Sequence, residues 1–147
     1  MAEKKPRQML LDALARREHS RGELRQKLLL KQVEDGVIEP LLDEFARLGY
    51  QSDDRFAQSY VSMRFSRGFG PIRIREELKG RDVASELIDA AIGAVDWAGA
   101  SKLARQKRFG LELPETVKER AQQMRFLQYR GFTTEQIKAA VFDEYYV

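Results

Sequence analysis

Residues 71–92, PIRIREELKGRDVASELIDAAI, set the pattern from which the rest of the chain can be read. Pro71 suits the first position of a helix, where its missing N–H is one of the donors a helix start leaves free anyway. Ile74 and Leu78 fall one turn apart on a single face. Gly80-Arg81-Asp82 interrupts, and Leu87, Ile88, Ala91 and Ile92 resume the helical spacing. Moved 50 residues toward the N-terminus, the pattern sets Ile74 on Leu24, Arg75 on Arg25, Leu78 on Leu28, Val83 on Val33 and Ile88 on Ile38. Moved 49 residues the other way, it sets Arg81, Glu86, Ile88, Ala90 and Ala91 on the identical Arg130, Glu135, Ile137, Ala139 and Ala140. No stretch alternates with period two. The spacing predicts an all-α chain of three tandem three-helix repeats, each of about 50 residues.

Outward from that stretch, the first repeat spans 8–50, behind a basic arm over 1–7 expected to be frayed. Its first helix carries Leu10, Leu11 and Leu14. Ser20 and Glu23 fit a capping box before a second helix that turns Leu24, Leu28 and, at the margin, Leu29 inward. A third, from Asp35, aligns Val37, Ile38, Leu41, Leu42, Phe45 and Leu48, with Pro40 in its first turns and Gly49 closing it. The second repeat, 51–95, opens with Ser52 capping a helix that carries Phe56, Tyr60 and Val61. The third, 96–147, holds helices near 97–109, 115–130 and 134–145. Leu113-Pro114 forms a loop there, Gly131-Phe132 a turn, and Thr133 with Gln136 another capping box. Each repeat falls short of the roughly 60 residues that usually supply a self-sufficient core, so the repeats either stack or behave as a jointed rod.

Composition removes most chemistry. The 147 residues include no cysteine and a single histidine, which excludes disulfides, thiolate catalysis and Cys-based metal sites. His19, beside a helix cap, is expected as a solvated loop residue rather than a triad member. The carboxylate pairs Asp43-Glu44, Asp53-Asp54 and Glu76-Glu77 lie on charged faces or in first turns, where the helix dipole favours acids. Gly68-Phe69-Gly70-Pro71 lacks the Lys-Ser/Thr and the preceding strand of a phosphate loop and reads as a sharp turn. No apolar run nears the roughly 18 residues of a membrane helix, and nothing at the start resembles a signal peptide. The expectation is a cytoplasmic monomer with no enzyme activity, cofactor or metal.

Charge is the remaining signal. The 26 Lys and Arg against 23 Asp and Glu give +3 and a pI of about 9.2. Residues 16–31 hold six basic and two acidic side chains, 34–54 one and seven, 64–81 six and two. Residues 82–96 then hold four acids, and 102–108 four bases with no acid. Such stripes suit phosphates or an acidic protein groove, or else serve only solubility and pairing along helices. Phe65, Phe69, Phe109 and Tyr129 stand near arginines, as base-stacking platforms do, although their helical spacing suits core packing as well. The short basic helix over 71–79 keeps a helix-turn-helix open. Phe142, Tyr145 and Tyr146 read as a packed last turn or a tail for a partner.

Several stretches together resemble the RecX family of recombination regulators. These are Leu48-Gly49-Tyr50-Gln51-Ser52-Asp53-Asp54-Arg55-Phe56-Ala57, Gly70-Pro71-Ile72-Arg73-Ile74-Arg75-Glu76-Glu77-Leu78, and Arg125-Phe126-Leu127-Gln128-Tyr129-Arg130-Gly131-Phe132. Asp96-Trp97 and Arg108-Phe109-Gly110-Leu111-Glu112-Leu113-Pro114 are similar to the linking portion of its members. The likeness runs from about Leu10 to Val141, departing at Gly22 and at Asp82, where many relatives carry Gly. It implies an elongated, curved array of three-helix repeats without catalysis. It also implies a target, the RecA recombinase filament on single-stranded DNA, whose groove such proteins occupy and whose ATPase and strand exchange they suppress. The contact candidates are Arg64, Arg67, Arg73, Arg75, Lys79 and Arg81 in the middle repeat, then Arg105, Lys107, Arg108, Arg125 and Arg130. A regulator acting on duplex DNA and a protein adaptor without nucleic-acid affinity remain as alternatives.

Overall fold

The structure, a computed structural model, describes residues 4–142. Among these the chain is all-α, with nine helices in three groups of three. They are α1 (Pro6–Arg16), α2 (Arg21–Leu30), α3 (Asp35–Arg47), α4 (Asp53–Ser66), α5 (Pro71–Lys79), α6 (Ser85–Gly93), α7 (Trp97–Phe109), α8 (Val117–Arg130) and α9 (Thr134–Phe142). Tyr145, Tyr146 and the first residues of the basic arm lie outside the described residues.

The helix starts follow from their side chains. Ser20 Oγ accepts the Glu23 amide at 3.0 Å while Glu23 Oε1 accepts the Ser20 amide at 3.1 Å, and Thr133 and Gln136 exchange the same pair at 3.2 and 3.0 Å. Ser52 Oγ takes the Arg55 amide at 3.2 Å. Asp53 adds a cap across elements, since its Oδ1 accepts the Arg21 amide at the head of α2 (2.8 Å).

The three second helices end alike. The amides of Val33, Val83 and Phe132 donate to the carbonyls of Leu28, Leu78 and Leu127 at 3.0, 3.2 and 3.2 Å. The residue before each donor is left-handed: Gln32 (φ 61°), Asp82 (φ 61°) and Gly131 (φ 98°). This is the Schellman ending, which favours glycine. Only the third repeat supplies one, so Gln32 and Asp82 each carry roughly 1 kcal/mol of backbone strain.

Two compact units emerge, and neither is a single repeat. One comprises the chain to Tyr60 with Leu78–Ala91; the other comprises Val61–Glu77 with the chain from Ile92. In the first, Leu10, Ala13, Leu24, Leu28, Ile38, Leu42 and Phe45 form the core, with Met9, Leu14, Val33 and Leu41 against it. The apolar stripes are narrower than their spacing suggested: Leu11, Leu29, Val37 and Leu48 are exposed. Pro40 sits in the second turn of α3, within the first turns where the spacing placed it, and leaves the carbonyl of the exposed Gly36 without its amide. His19 also departs from expectation. It is 2% exposed, its Nδ1–H donates to the Arg17 carbonyl (3.1 Å) and its own carbonyl accepts from Gln51 Nε2 (3.3 Å).

In the second unit α7, α8 and α9 pack on one another. Trp97 is buried with its Nε1–H on the Ile92 carbonyl (2.9 Å), and Ser101 Oγ donates to the Gln136 carbonyl (3.0 Å).

One docking contact occurs once in each unit. In the first, Ser20 Oγ donates to the Arg81 carbonyl at 2.9 Å, and a Cβ on Gly22 would stand 2.8 Å from that oxygen. In the second, the Gly70 amide donates to the Arg130 carbonyl at 2.8 Å and the Ile72 amide to the Gly131 carbonyl at 2.9 Å. A Cβ on Gly70 would lie 2.5 Å from the Gly131 carbonyl carbon. Gly70 is 50 residues beyond Ser20, and Arg130 is 49 beyond Arg81. The head of one repeat's second helix thus meets the closing turn of the next repeat's.

Candidate nucleic-acid interface

A basic side chain serves a phosphate only if no carboxylate already holds it. In the first unit most are held. Glu39 takes Arg25 Nε at 2.6 Å and Arg21 Nη2 at 2.9 Å. These hydrogen bonds, from Arg25 first and Arg21 second, lower its carboxyl to about 2 from 4.5. Asp43 adds a second acid to Arg21 at 2.6 Å, while Arg17 pairs with Glu23 and Arg55 with Glu18.

The middle-repeat candidates divide along the same line. Arg64 forks onto Glu77 with Nε–Oε1 at 2.9 Å and Nη2–Oε2 at 2.8 Å, so its charge is taken. Arg73 shares that carboxylate at 3.5 Å and donates from Nη1 to the Tyr129 carbonyl at 3.3 Å. Arg81 lies 3.6 Å from Glu23 and against the Tyr60 ring. Arg75 and Lys79 likewise have partners. Arg67 is exposed and meets no carboxylate among the described residues.

Arg105 must be withdrawn as a surface contact. It is 2% exposed, the largest fully buried side chain. Its Nη1 reaches the Glu112 carbonyl (3.1 Å) and the Gly110 carbonyl (3.4 Å), and its Nη2 the Leu111 carbonyl (3.3 Å). The guanidinium is a post around which the loop after α7 wraps. Its neighbours Lys107 and Arg108, by contrast, are exposed and meet no described carboxylate, as does Arg125 on α8.

Four cations that meet no carboxylate among the described residues converge. Arg67, Lys107, Arg108 and Arg130 line a groove of about 200 Å³ with Ser66, Gly68, Ala104 and Phe126. A Cβ on Gly68 would meet Arg130 Nη1 at 3.5 Å and the Cβ of Ala104 at 3.8 Å, ordinary contact distances, and it is the left-handed backbone of Gly68 (φ 84°) that calls for glycine there. Arg130 is fixed by its Nη1 bond to the Arg67 carbonyl (3.0 Å).

Rings and guanidinium groups alternate beside the groove. Arg73 lies over both Tyr129 (5.1 Å) and Phe69 (4.7 Å), and Arg130 over Phe69 (4.7 Å) and Phe126 (4.9 Å). Phe126 meets Phe109 edge-on at 5.4 Å, and Arg108 covers Phe109 at 5.4 Å. Phe65 is spent on Trp97 (5.8 Å), so among the expected platforms Tyr129, 74% exposed, is the open one. Phe126 and Gly68 belong to the site although sequence reasoning did not place them there. The acid-free run over 102–108 was the visible signal for the groove.

The descriptions of three family models fit the geometry repeat by repeat: "RecX, first three-helix domain" matches 7–45, the second 52–92 and the third 95–141. The chain belongs to the RecX family. Similar RecX-family proteins include Regulatory protein RecX of Halorhodospira halophila, 42% identical over 136 residues, spanning 91% of this chain and 84% of that one. Its namesake in Pseudomonas entomophila is 43% identical over 133 residues, 89% of this chain and 86% of the other. In fold the chain is similar to the crystal structure of RecX from Lactobacillus salivarius, with TM-score 0.79, 16% identity, and 94% and 93% of the two chains covered. Among the described residues of this RecX-family chain, no group of His, Cys, Asp and Glu is placed to hold a metal, and no helix is long and apolar enough to cross a membrane.

Proposed function

We propose that this RecX-family protein is a non-enzymatic cytoplasmic regulator of recombination. It binds the RecA filament on single-stranded DNA within the filament groove and lowers its ATPase and strand-exchange activities. The observation that carries the reading is the groove of Arg67, Lys107, Arg108 and Arg130, whose charges no carboxylate among the described residues neutralises. A filament groove lined by DNA phosphates or acidic side chains offers the complementary charge. Several weak contacts on one chain add through effective concentration, so inhibition is expected below one regulator per RecA protomer.

The test is the single-strand-dependent ATPase of RecA, titrated with the protein. Inhibition below equimolar protein is expected, with the double variant Lys107→Ala/Arg108→Ala requiring several-fold more protein. No inhibition at excess, by a sample with full helical circular dichroism, overturns the reading. The paired arginines Arg64 and Arg73 are poor probes, because removing either frees Glu77 and disturbs packing.

A further inference from the structure

We infer that the second unit carries a single-strand site, in which the groove holds backbone phosphates and Tyr129 stacks one unpaired base. This rests on the nucleic-acid side of the reading above. The ring of Tyr129 is capped on one face by Arg73 at 5.1 Å, and the residue is 74% exposed, so the opposite face is open. A guanidinium behind an aromatic ring fixes its plane and leaves a preorganised apolar surface of the dimensions of a base. The ring is also tied to the groove: Arg73 bridges Tyr129 to Phe69, and Arg130 continues from Phe69 into the groove wall. Phosphate-binding and base-binding elements thus sit on one connected set of side chains.

The ligand class follows from that combination. A duplex keeps its base faces stacked inside and offers Tyr129 nothing to cover, whereas a single strand supplies phosphates and free base faces together. An arginine from a protein partner could also cover the ring, as Arg73 does. It would have to approach four cations that no acid among the described residues offsets, and like charge opposes that approach.

Anisotropy of a labelled thymidine oligonucleotide, an abasic strand of equal length and a duplex tests the site on the full chain. Wild type is expected to prefer the strand with bases over both others. Tyr129→Ala should weaken that strand by about ten-fold and leave the abasic strand and the salt dependence unchanged. Tyr129→Phe should bind as wild type. Lys107→Ala/Arg108→Ala should weaken both single strands and lower the slope of log affinity against log salt by about 1.4. Equal wild-type affinity for the base-bearing and abasic strands overturns the stacking site, as does a Tyr129→Ala protein that binds like wild type. So does a Tyr129→Ala protein that loses affinity for RecA without DNA while keeping it for the free strand, which would assign the ring to a protein. RecA inhibition that persists in any of these cases leaves the regulator reading standing.

Discussion

Arg105 and Arg108 stand one turn apart on α7, and substitutions in each should read out differently. Arg105→Ala leaves the carbonyls of Gly110, Leu111 and Glu112 without a donor and opens space in a packed interior. A loss of about 3 kcal/mol in urea unfolding is expected, and Arg105→Lys should not restore it, because the single nitrogen of an ammonium does not span the positions that Nη1 and Nη2 of the planar guanidinium reach. Arg108→Ala should leave the unfolding midpoint where it is. His19 gives stability a pH dependence. Burial lowers its pKa from 6.5, with the bond to the Arg17 carbonyl opposing, so the unfolded chain binds the proton more readily. Its contribution is complete above pH 6.5 and falls away as the pH drops below that value, whereas His19→Gln should flatten thermal-melt curves there. Glu39, held near 2 by Arg25 and Arg21, acts lower on the scale: its contribution is present above 4.5 and is lost as the pH falls through about 2. Neither environment was legible beforehand. A lone histidine next to a cap looks the same in sequence whether Gln51 closes over it or water does.

At the scale of elements, the helices announced themselves where side chains cap them or glycines end them. Ser20-Glu23, Thr133-Gln136 and Pro71 act locally, through bonds within a turn, and local chemistry is what a sequence writes plainly. The arginines were harder to rank, because the carboxylate that neutralises each one is often far along the chain. Arg64 meets Glu77 13 residues away, and Arg21 meets Asp43 22 away. The helix ends also carry a correctable flaw. Gln32→Gly should raise stability by roughly 1 kcal/mol by relieving the left-handed residue, with a smaller gain for Asp82→Gly, since aspartate tolerates that conformation better. An unchanged melting temperature for Gln32→Gly would show that α2 ends some other way in solution. Gly70→Ala has the opposite sign: its methyl would collide with the backbone of Gly131, and the second unit should melt lower.

For the whole molecule, sequence periodicity and compactness divide the chain differently. The repeat of 49–50 residues was plain, since it is written in apolar positions, while the two compact units depend on contacts that no local pattern records. Residues 61–77 of the middle repeat belong to one unit and 78–91 to the other. A fragment spanning 51–95 should therefore show little helical circular dichroism alone, and a cooperative melt from it would contradict that division. The recurring dock has a further consequence, for copy number. Ser20 meets Arg81 in the first unit as Gly70 meets Arg130 in the second. Excising one whole period between them would bring the Ser20 hydroxyl to the Arg130 carbonyl, but the Cβ of Ser20 would then stand where a Cβ on Gly70 meets the Gly131 backbone at 2.5 Å. The acceptor turn recurs while the donor side does not, so an array of this kind can change length by whole periods only where a residue without a Cβ is supplied at the new junction.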